Sequence, residues 1–288
     1  MLDKTPTKPK RPGNKTKARI RVVEGGEKRL KQDVLATEEP MEIRLVAGGT
    51  KQTVAVTMRT PGNDFELAAG FLHGEGILSS RDDIKKISYC TDSDVDADQL
   101  YNIVNVELRT GVEVDIRPLE RNFYTTSACG VCGKASLDQL ELRGCPVIGP
   151  GPEISAETIY SLPEKLRKAQ ALFDSTGGLH AAALFDADGN LIALREDVGR
   201  HNATDKLIGW ALLEGKQPLS GHIVMVSGRS SFEILQKCLQ AGVPVVTAIS
   251  APSSLAVDVA REFDMTLIGF LRGKRFNVYS GNERILSA

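Results

Sequence analysis

The residues best equipped for chemistry are Cys129 and Cys132, within Ser127-Ala128-Cys129-Gly130-Val131-Cys132-Gly133-Lys134. Two thiols at this spacing can hold a metal, cycle as a dithiol, or carry sulfur as a persulfide. Gly130 and Gly133 permit backbone conformations closed to other residues, so the segment reads as a mobile loop that presents a thiol to something large. Thiolate is the reactive form, and Lys134 with a helix start expected near Ala135 would lower a thiol pKa. A thioredoxin-like module would set the motif directly after a strand. Here it lies in a long loop, Pro118 to about Lys134, which favours a sulfur-carrying arm over a disulfide reductase.

Two metal readings compete with that one. A structural zinc site lacks its second half, since Cys90 and Cys145 are single and Cys238 sits on a helical pattern. A zinc-dependent nucleoside or base deaminase is the other: His73-Gly74-Glu75 supplies a His-x-Glu upstream of Cys129-x-x-Cys132, but Ala128 stands where that signature has proline.

A second set of residues suits anions. Ser227-Gly228-Arg229-Ser230-Ser231 and Ser250-Ala251-Pro252-Ser253-Ser254 each join an expected strand to an expected helix, where hydroxyls and backbone N–H groups suit phosphate oxygens. Each serine alone would serve equally as a helix cap. Phe270-Leu271-Arg272-Gly273-Lys274-Arg275 ends another strand, and its three cations with Arg229 would match a ligand carrying more than one pyrophosphate. Neither join is a Walker A loop or a Gly-x-Gly-x-x-Gly, so hydrolysis of a nucleotide triphosphate is not indicated. Asp197, Arg200, His201, Asn202 and Asp205 cluster at a helix start, either as a ligand-facing group or as a salt-bridged cap.

The elements that must position these residues fall into two parts. Residues 1–21 are rich in Lys, Arg and Pro and read as a basic flexible tail. A basic arm for an acidic partner is the functional alternative. Residues 22–117 read as a hairpin-rich α+β part: strands Met41–Val46 and Gln52–Met58, a Pro61–Asp64 turn, a helix Phe65–His73, and strands Ile84–Cys90 and Tyr101–Leu108. Residues 118–134 are the cysteine loop, and 135–288 an α/β domain. There Ser155 caps a helix to about Phe173 that Pro163 interrupts, and Leu179–Phe185 and Leu191–Glu196 form a hairpin. Short apolar strands at Ile223, Val243 and Met265 then alternate with helices His201–Leu213, Ser231–Ala241 and Pro252–Phe263. This pattern predicts a parallel sheet covered on both faces.

Composition sets the outer bounds. The chain has 288 residues, 41% hydrophobic and 25% charged, enough for a sizeable core. A net charge of −1 gives no reason to expect nucleic acid or an anionic membrane as partner. An odd count of five cysteines and a start without an apolar signal region point to a reducing compartment, so cytoplasm is expected.

Five blocks together resemble the FdhD/NarQ family, the formate dehydrogenase accessory sulfurtransferases: Arg59-Thr60-Pro61-Gly62-Asn63-Asp64-Phe65 with its continuation to Leu72, Ser127–Gly133, Glu196–Lys206, Val226–Glu233 and Gly269–Ser280. They occur in order and span nearly the whole chain beyond the basic tail. The resemblance implies a protein that takes sulfur from a cysteine desulfurase and delivers it to the molybdenum or tungsten cofactor carrying two guanine dinucleotides, before insertion into apo-formate dehydrogenase. On matching positions it makes Cys129 the persulfide carrier, Cys132 its motif partner, and Phe270–Arg275 a cofactor-binding segment. It further implies a cytidine-deaminase-like α/β fold in the C-terminal half, without zinc, in a protein that binds the molybdenum cofactor as substrate. A non-catalytic cofactor-binding chaperone is a further alternative, and a homodimer is left open.

Overall fold

The computed structural model describes residues 11–93, 95–112, 140, 145 and 147–286. The expected tail to Arg21 is shorter than the composition suggested. Strand β1 (Lys15–Glu24) pairs antiparallel along its whole length with β2 (Glu27–Ala36). Gly25 and Gly26 form the turn with φ of 58° and 89°, the doubly positive geometry that a two-residue hairpin needs and that glycine adopts without strain.

The first layer proper is a four-stranded sheet in the order β4-β3-β6-β5, from β3 (Glu39–Ala47), β4 (Thr50–Arg59), β5 (Ile84–Tyr89) and β6 (Ile103–Leu108). Met41, Ile43, Leu45, Val104 and Val106 bury one face of it against Leu67, Ala68 and Leu72 of α1 (Asp64–Gly74). The turn before α1 is held by Arg59, fully buried, whose guanidinium pairs with Asp64 at 3.1 and 3.3 Å and donates to Asn102 Oδ1 at 3.0 Å. Tyr89 donates its hydroxyl to the same carboxylate at 2.9 Å.

The second layer is a six-stranded sheet in the order β13-β12-β11-β10-β8-β9. Its strands are β8 (His180–Phe185), β9 (Leu191–Asp197), β10 (Ile223–Val226), β11 (Val245–Ala248), β12 (Thr266–Arg272) and β13 (Arg275–Ser280). The sheet is mixed rather than parallel. Strands β9, β10, β11 and β12 run in one direction and β8 and β13 in the other, so only β10–β11 and β11–β12 are parallel pairs. The turns dictate this: Asp186–Asn190 and Gly273-Lys274 are too short to carry a crossover, so they return the chain antiparallel.

Both faces are covered, as expected. Ala182, Leu184, Val224, Val226, Val246 and Leu267 pack under α4 (Arg200–Leu213), α5 (Phe232–Gln240) and α6 (Ser254–Glu262). The alternate residues Ala181, Ala183, Phe185, Ile223, Met225 and Ile268 pack against α2 (Ala156–Ala169). Helix α2 runs through Pro163 without breaking. Ile159, Leu162 and Leu166 are fully buried on the sheet, and that stripe offsets the lost backbone hydrogen bond. The break comes later, at Gln170, where the separate α3 (Ala171–Thr176) begins. Short strands β7 (Ile154–Ser155) and β14 (Ile285–Leu286) pair in parallel beside this layer. Among the described residues no helix is long and apolar enough to cross a membrane.

Candidate functional site

Because β10, β11 and β12 are parallel, their carboxyl ends fall on one edge of the sheet. The antiparallel neighbours deliver His180, at the start of β8, and Asp197, at the end of β9, to the same edge: Val226 pairs with Ala182, and His180 with Asp197. The edge therefore gathers His180, the Asp197–His201 turn, Ser227–Ser231, Ser250–Ser253 and Phe270–Arg275. This juxtaposition of segments far apart in sequence defines the candidate site. The segments touch in series. Ser230 bridges Pro252, Ser253 donates its N–H to the Ser230 carbonyl at 2.9 Å, and Phe270 donates its N–H to the Ser250 carbonyl at 3.1 Å.

The serines divide by role. Ser227 is structural, its hydroxyl accepting from the Ala181 amide at 2.9 Å, and Ser253 caps α6 through the Ala256 amide at 3.3 Å. Ser231 precedes α5 but does not cap it with its side chain; instead its hydroxyl lies 3.0 Å from His201 Nε2. That same nitrogen sits 2.7 Å from the Glu233 carboxylate. The imidazole holds the Glu233 carboxyl below its ordinary range, chiefly through this hydrogen bond. The one acidic group of α5's first turn is thus tied sideways, and the uncapped amides there still favour an anion.

Two polar atoms at the edge have no partner among the described residues although they are buried: the hydroxyl of Ser230, a residue with no exposed surface, and Nε of Arg200. A Cβ on Gly228 would lie 3.3 Å from His180 Nδ1 and 3.6 Å from Cδ of Arg200, so this loop packs closely against both side chains. Burial, followed by the neighbouring Arg200 and His201, lowers the His180 pKa, so the ring is neutral near pH 7. Unsatisfied donors on an edge that also carries a neutral imidazole fit an oxyanion such as a phosphate.

The predicted cation set is distributed along this edge. Arg229 is exposed just before α5, and β12 runs four residues past its pairing with β11, so Arg272, Gly273, Lys274 and Arg275 project from the sheet as a two-residue hairpin turn. Among the described residues, none of these four cations has a carboxylate partner. Phe270, 40% exposed, adopts φ 52° where β12 bulges out of register with β13, which turns its ring outward. Leu271 faces the opposite way, fully buried in the core under α2. Its contribution to the edge is backbone.

The cluster after β9 resolves into two halves. Asp197 is fully buried, with Lys206 Nζ 2.7 Å from its carboxylate, and it accepts from the amides of Thr60 at 3.1 Å and Gly199 at 2.9 Å. Asn202 donates to Asp197 at 3.1 Å and to the Met58 carbonyl at 2.7 Å. These residues are an internal cap that ties the Arg59–Asp64 turn to the start of α4. Arg200 and His201 instead face the sheet edge. Sequence reading left the two halves unseparated, because alternation along a helix start does not say which residues a distant turn will claim.

Cys129, Cys132, Lys134 and the whole 118–134 loop lie outside the described residues, as does the helix start near Ala135. The described cysteines are core groups: Cys90, Cys145 and Cys238 are all buried, and burial pushes the Cys238 thiol up to about 12. No cluster of three or more metal-ligating side chains occurs among the described residues. His73 of the His-x-Glu reading is buried at the end of α1, its Nδ1 2.8 Å from the Leu78 carbonyl. It lines a cleft with Gln240 and Gly242, beside the C-terminus of α5 and so at the far end of that helix from the anion-suited edge.

Fold and edge together define a mixed α/β protein with an anion-suited edge at the carboxyl ends of its parallel strands. The chain belongs to the FdhD/NarQ family, whose model matches residues 36–286. It is 54% identical to the sulfur carrier protein FdhD of Streptomyces avermitilis, over 88% of this chain and 89% of that one. It is 49% identical to the FdhD of Mycolicibacterium paratuberculosis, over 94% and 98%, and 48% identical to that of Sulfurisphaera tokodaii, over 89% and 93%. A crystal structure of a formate dehydrogenase accessory protein from Desulfotalea psychrophila superposes with a TM-score of 0.71 at 24% identity, covering 94% of this chain and 99% of that one. The α/β fold read from the sequence is thereby borne out.

Proposed function

We propose that this protein is a sulfur carrier in the maturation of formate dehydrogenase, moving sulfur from a cysteine desulfurase to a molybdenum cofactor that bears two guanine dinucleotides. The Cys129 thiolate attacks the terminal sulfur of the desulfurase persulfide; the sulfur–sulfur bond there breaks, the desulfurase thiolate leaves, and Cys129 carries the sulfane sulfur. The cofactor docks as substrate at the sheet edge. Its pyrophosphates meet Arg229, Arg272, Lys274 and Arg275, with Arg200, Ser230 and the first turn of α5 behind them, and the Phe270 ring offers a flat apolar surface to a guanine. Cys132 then attacks Cys129 Sγ, forming a disulfide and expelling the terminal sulfur as sulfide to the metal. A thiol reductant restores the pair.

The observation that carries this reading is the set of four cations without carboxylate partners along an edge that also holds two unsatisfied buried donors. A multi-phosphate ligand satisfies both. The names of the relatives support the sulfur-carrying role. The test is co-expression of a formate dehydrogenase with the Cys129→Ala variant. Loss of formate oxidation with retained binding of guanosine diphosphate is the expected outcome, and a fully active client enzyme would refute it.

A further inference from the structure

The β1–β2 hairpin has a face that the sulfur-transfer reading does not use. In an antiparallel pair, residues opposite one another share a face. One face therefore carries Lys15, Lys17, Arg19 and Arg21 from β1, opposite Ala36, Val34, Gln32 and Leu30 from β2. All four cations are exposed, their cross-strand partners are neutral, and none has an ion pair among the described residues. The other face differs in kind: Ala18, Ile20 and Val22 are half-buried there, and Arg29 pairs with Glu24 at 3.1 Å. With ten residues in each strand the hairpin is about 30 Å long, and its base packs β2 against α3.

We propose that this face is a docking strip for an extended acidic segment of a partner protein, one with carboxylates at alternate positions. Side chains on one face of a strand recur about every 6.6 Å, so a peptide added alongside β1 as a further strand sets its carboxylates, one at every second residue, beside the four cations. The outer edge of β1 pairs with no other strand among the described residues, so its amides and carbonyls are available for that addition. Leu30, 61% exposed, and Val23, 62% exposed, lie on the same face and supply apolar cover for the added strand. A two-stranded ribbon with such exposure gains stability from a third strand. Residues 15–36 contain no aromatic side chain to stack on a base, and the chain as a whole carries a net charge of −1, both of which favour a protein partner over nucleic acid.

The experiment is fluorescence anisotropy of the full chain with a labelled peptide of ten Glu-Thr repeats. Two controls are a peptide with the same residues in two blocks and a short DNA duplex. The repeat peptide binds, weakens as salt rises, and binds more tightly than the block peptide or the duplex. Lys17→Glu with Arg19→Glu weakens it by about tenfold or more, and Lys17→Thr with Arg19→Thr, which keeps strand propensity, also weakens it. Arg29→Glu with Lys31→Glu, the same change in net charge on the opposite face, leaves affinity within about twofold. Equal losses from the two double reversals, tighter binding of the block peptide or the duplex, or self-association of the chain through these same lysines and arginines in light scattering would overturn the proposal.

Discussion

Gly70 of α1 and Gly209 of α4 bring two helices into backbone contact: a Cβ on Gly209 would lie 2.6 Å from the Gly70 amide nitrogen and 1.8 Å from the Glu66 carbonyl oxygen. A Cβ on Gly70 would lie 1.9 Å from the Asp205 carbonyl oxygen. This crossing locks the N-terminal sheet and its helix onto the helix whose first turn bears Arg200 and His201. Both glycines have helical backbones, so only the close approach requires them.

Gly209→Ala tests that reading by its sign. In an uncrowded helix the change would stabilise by about 1 kcal/mol. Here it destabilises by roughly 3 kcal/mol or more, because the partner is backbone and has nowhere to move. Urea denaturation measures it, and a neutral or stabilising result would mean that the helices separate freely.

Asp197 and Lys206 form a buried pair, with side chains 0% and 2% exposed. Lys206→Met strands a buried carboxylate and costs roughly 3–5 kcal/mol, and Asp197→Asn, which strands the ammonium, costs a similar amount. The double variant costs less than the sum of the two. Equilibrium unfolding of all three gives the coupling, and simple additivity would show that the pair contributes no mutual stabilisation.

His73 gives the protein an acid sensitivity of definite sign. Burial lowers its pKa below the ordinary 6.5, so in the window below that value the unfolded chain binds a proton that the folded chain refuses. Stability is therefore complete above 6.5 and falls as pH drops beneath it, with His180 adding the same sign. His73→Asn keeps a donor for the Leu78 carbonyl and flattens the decline. Thermal unfolding between neutral and mildly acidic pH reads the slope, and an unchanged slope in the variant would remove His73 as its source.

Guanosine diphosphate, a mimic of one arm of the cofactor, binds at the sheet edge with an affinity that falls as salt rises. Arg275→Glu weakens it by about tenfold, whereas Lys85→Glu, an equal charge change on β5 in the other sheet, does not. Calorimetry separates the two. A loss within about twofold for Arg275→Glu, worth ~0.4 kcal/mol, would leave that residue as an ordinary solvated charge.

Much of this architecture is legible in the sequence where a local pattern dictates the outcome. The helix over Asp64–Gly74 and the Asp186–Asn190 hairpin follow from apolar spacing and turn residues, and each expected strand of the six-stranded sheet appears within a residue or two of its pattern. The misses come where a distant contact decides. The first strand hid in a basic stretch, although Gly25-Gly26 between two alternating runs was a readable hairpin signal. Pro163 argued for a break that burial of Ile159, Leu162 and Leu166 overrides. Strand direction depended on turn length, which apolar composition does not report. At the edge, Arg229 and the Phe270–Arg275 turn were legible as unmatched cations after strands, whereas His180, Arg200 and the lone hydroxyl of Ser230 gain meaning only once the sheet order sets them side by side.

The central claim is that Cys129 carries sulfur, and mass spectrometry tests it directly. The protein is incubated with a cysteine desulfurase and cysteine, digested without reductant, and the peptide spanning Ser127–Lys134 is weighed. The parent peptide gains one sulfur atom, removed by a thiol reductant and absent in Cys129→Ala. An unmodified peptide under conditions where the desulfurase itself carries persulfide, or an equal gain in the Cys129→Ala variant, would contradict sulfur carriage by Cys129.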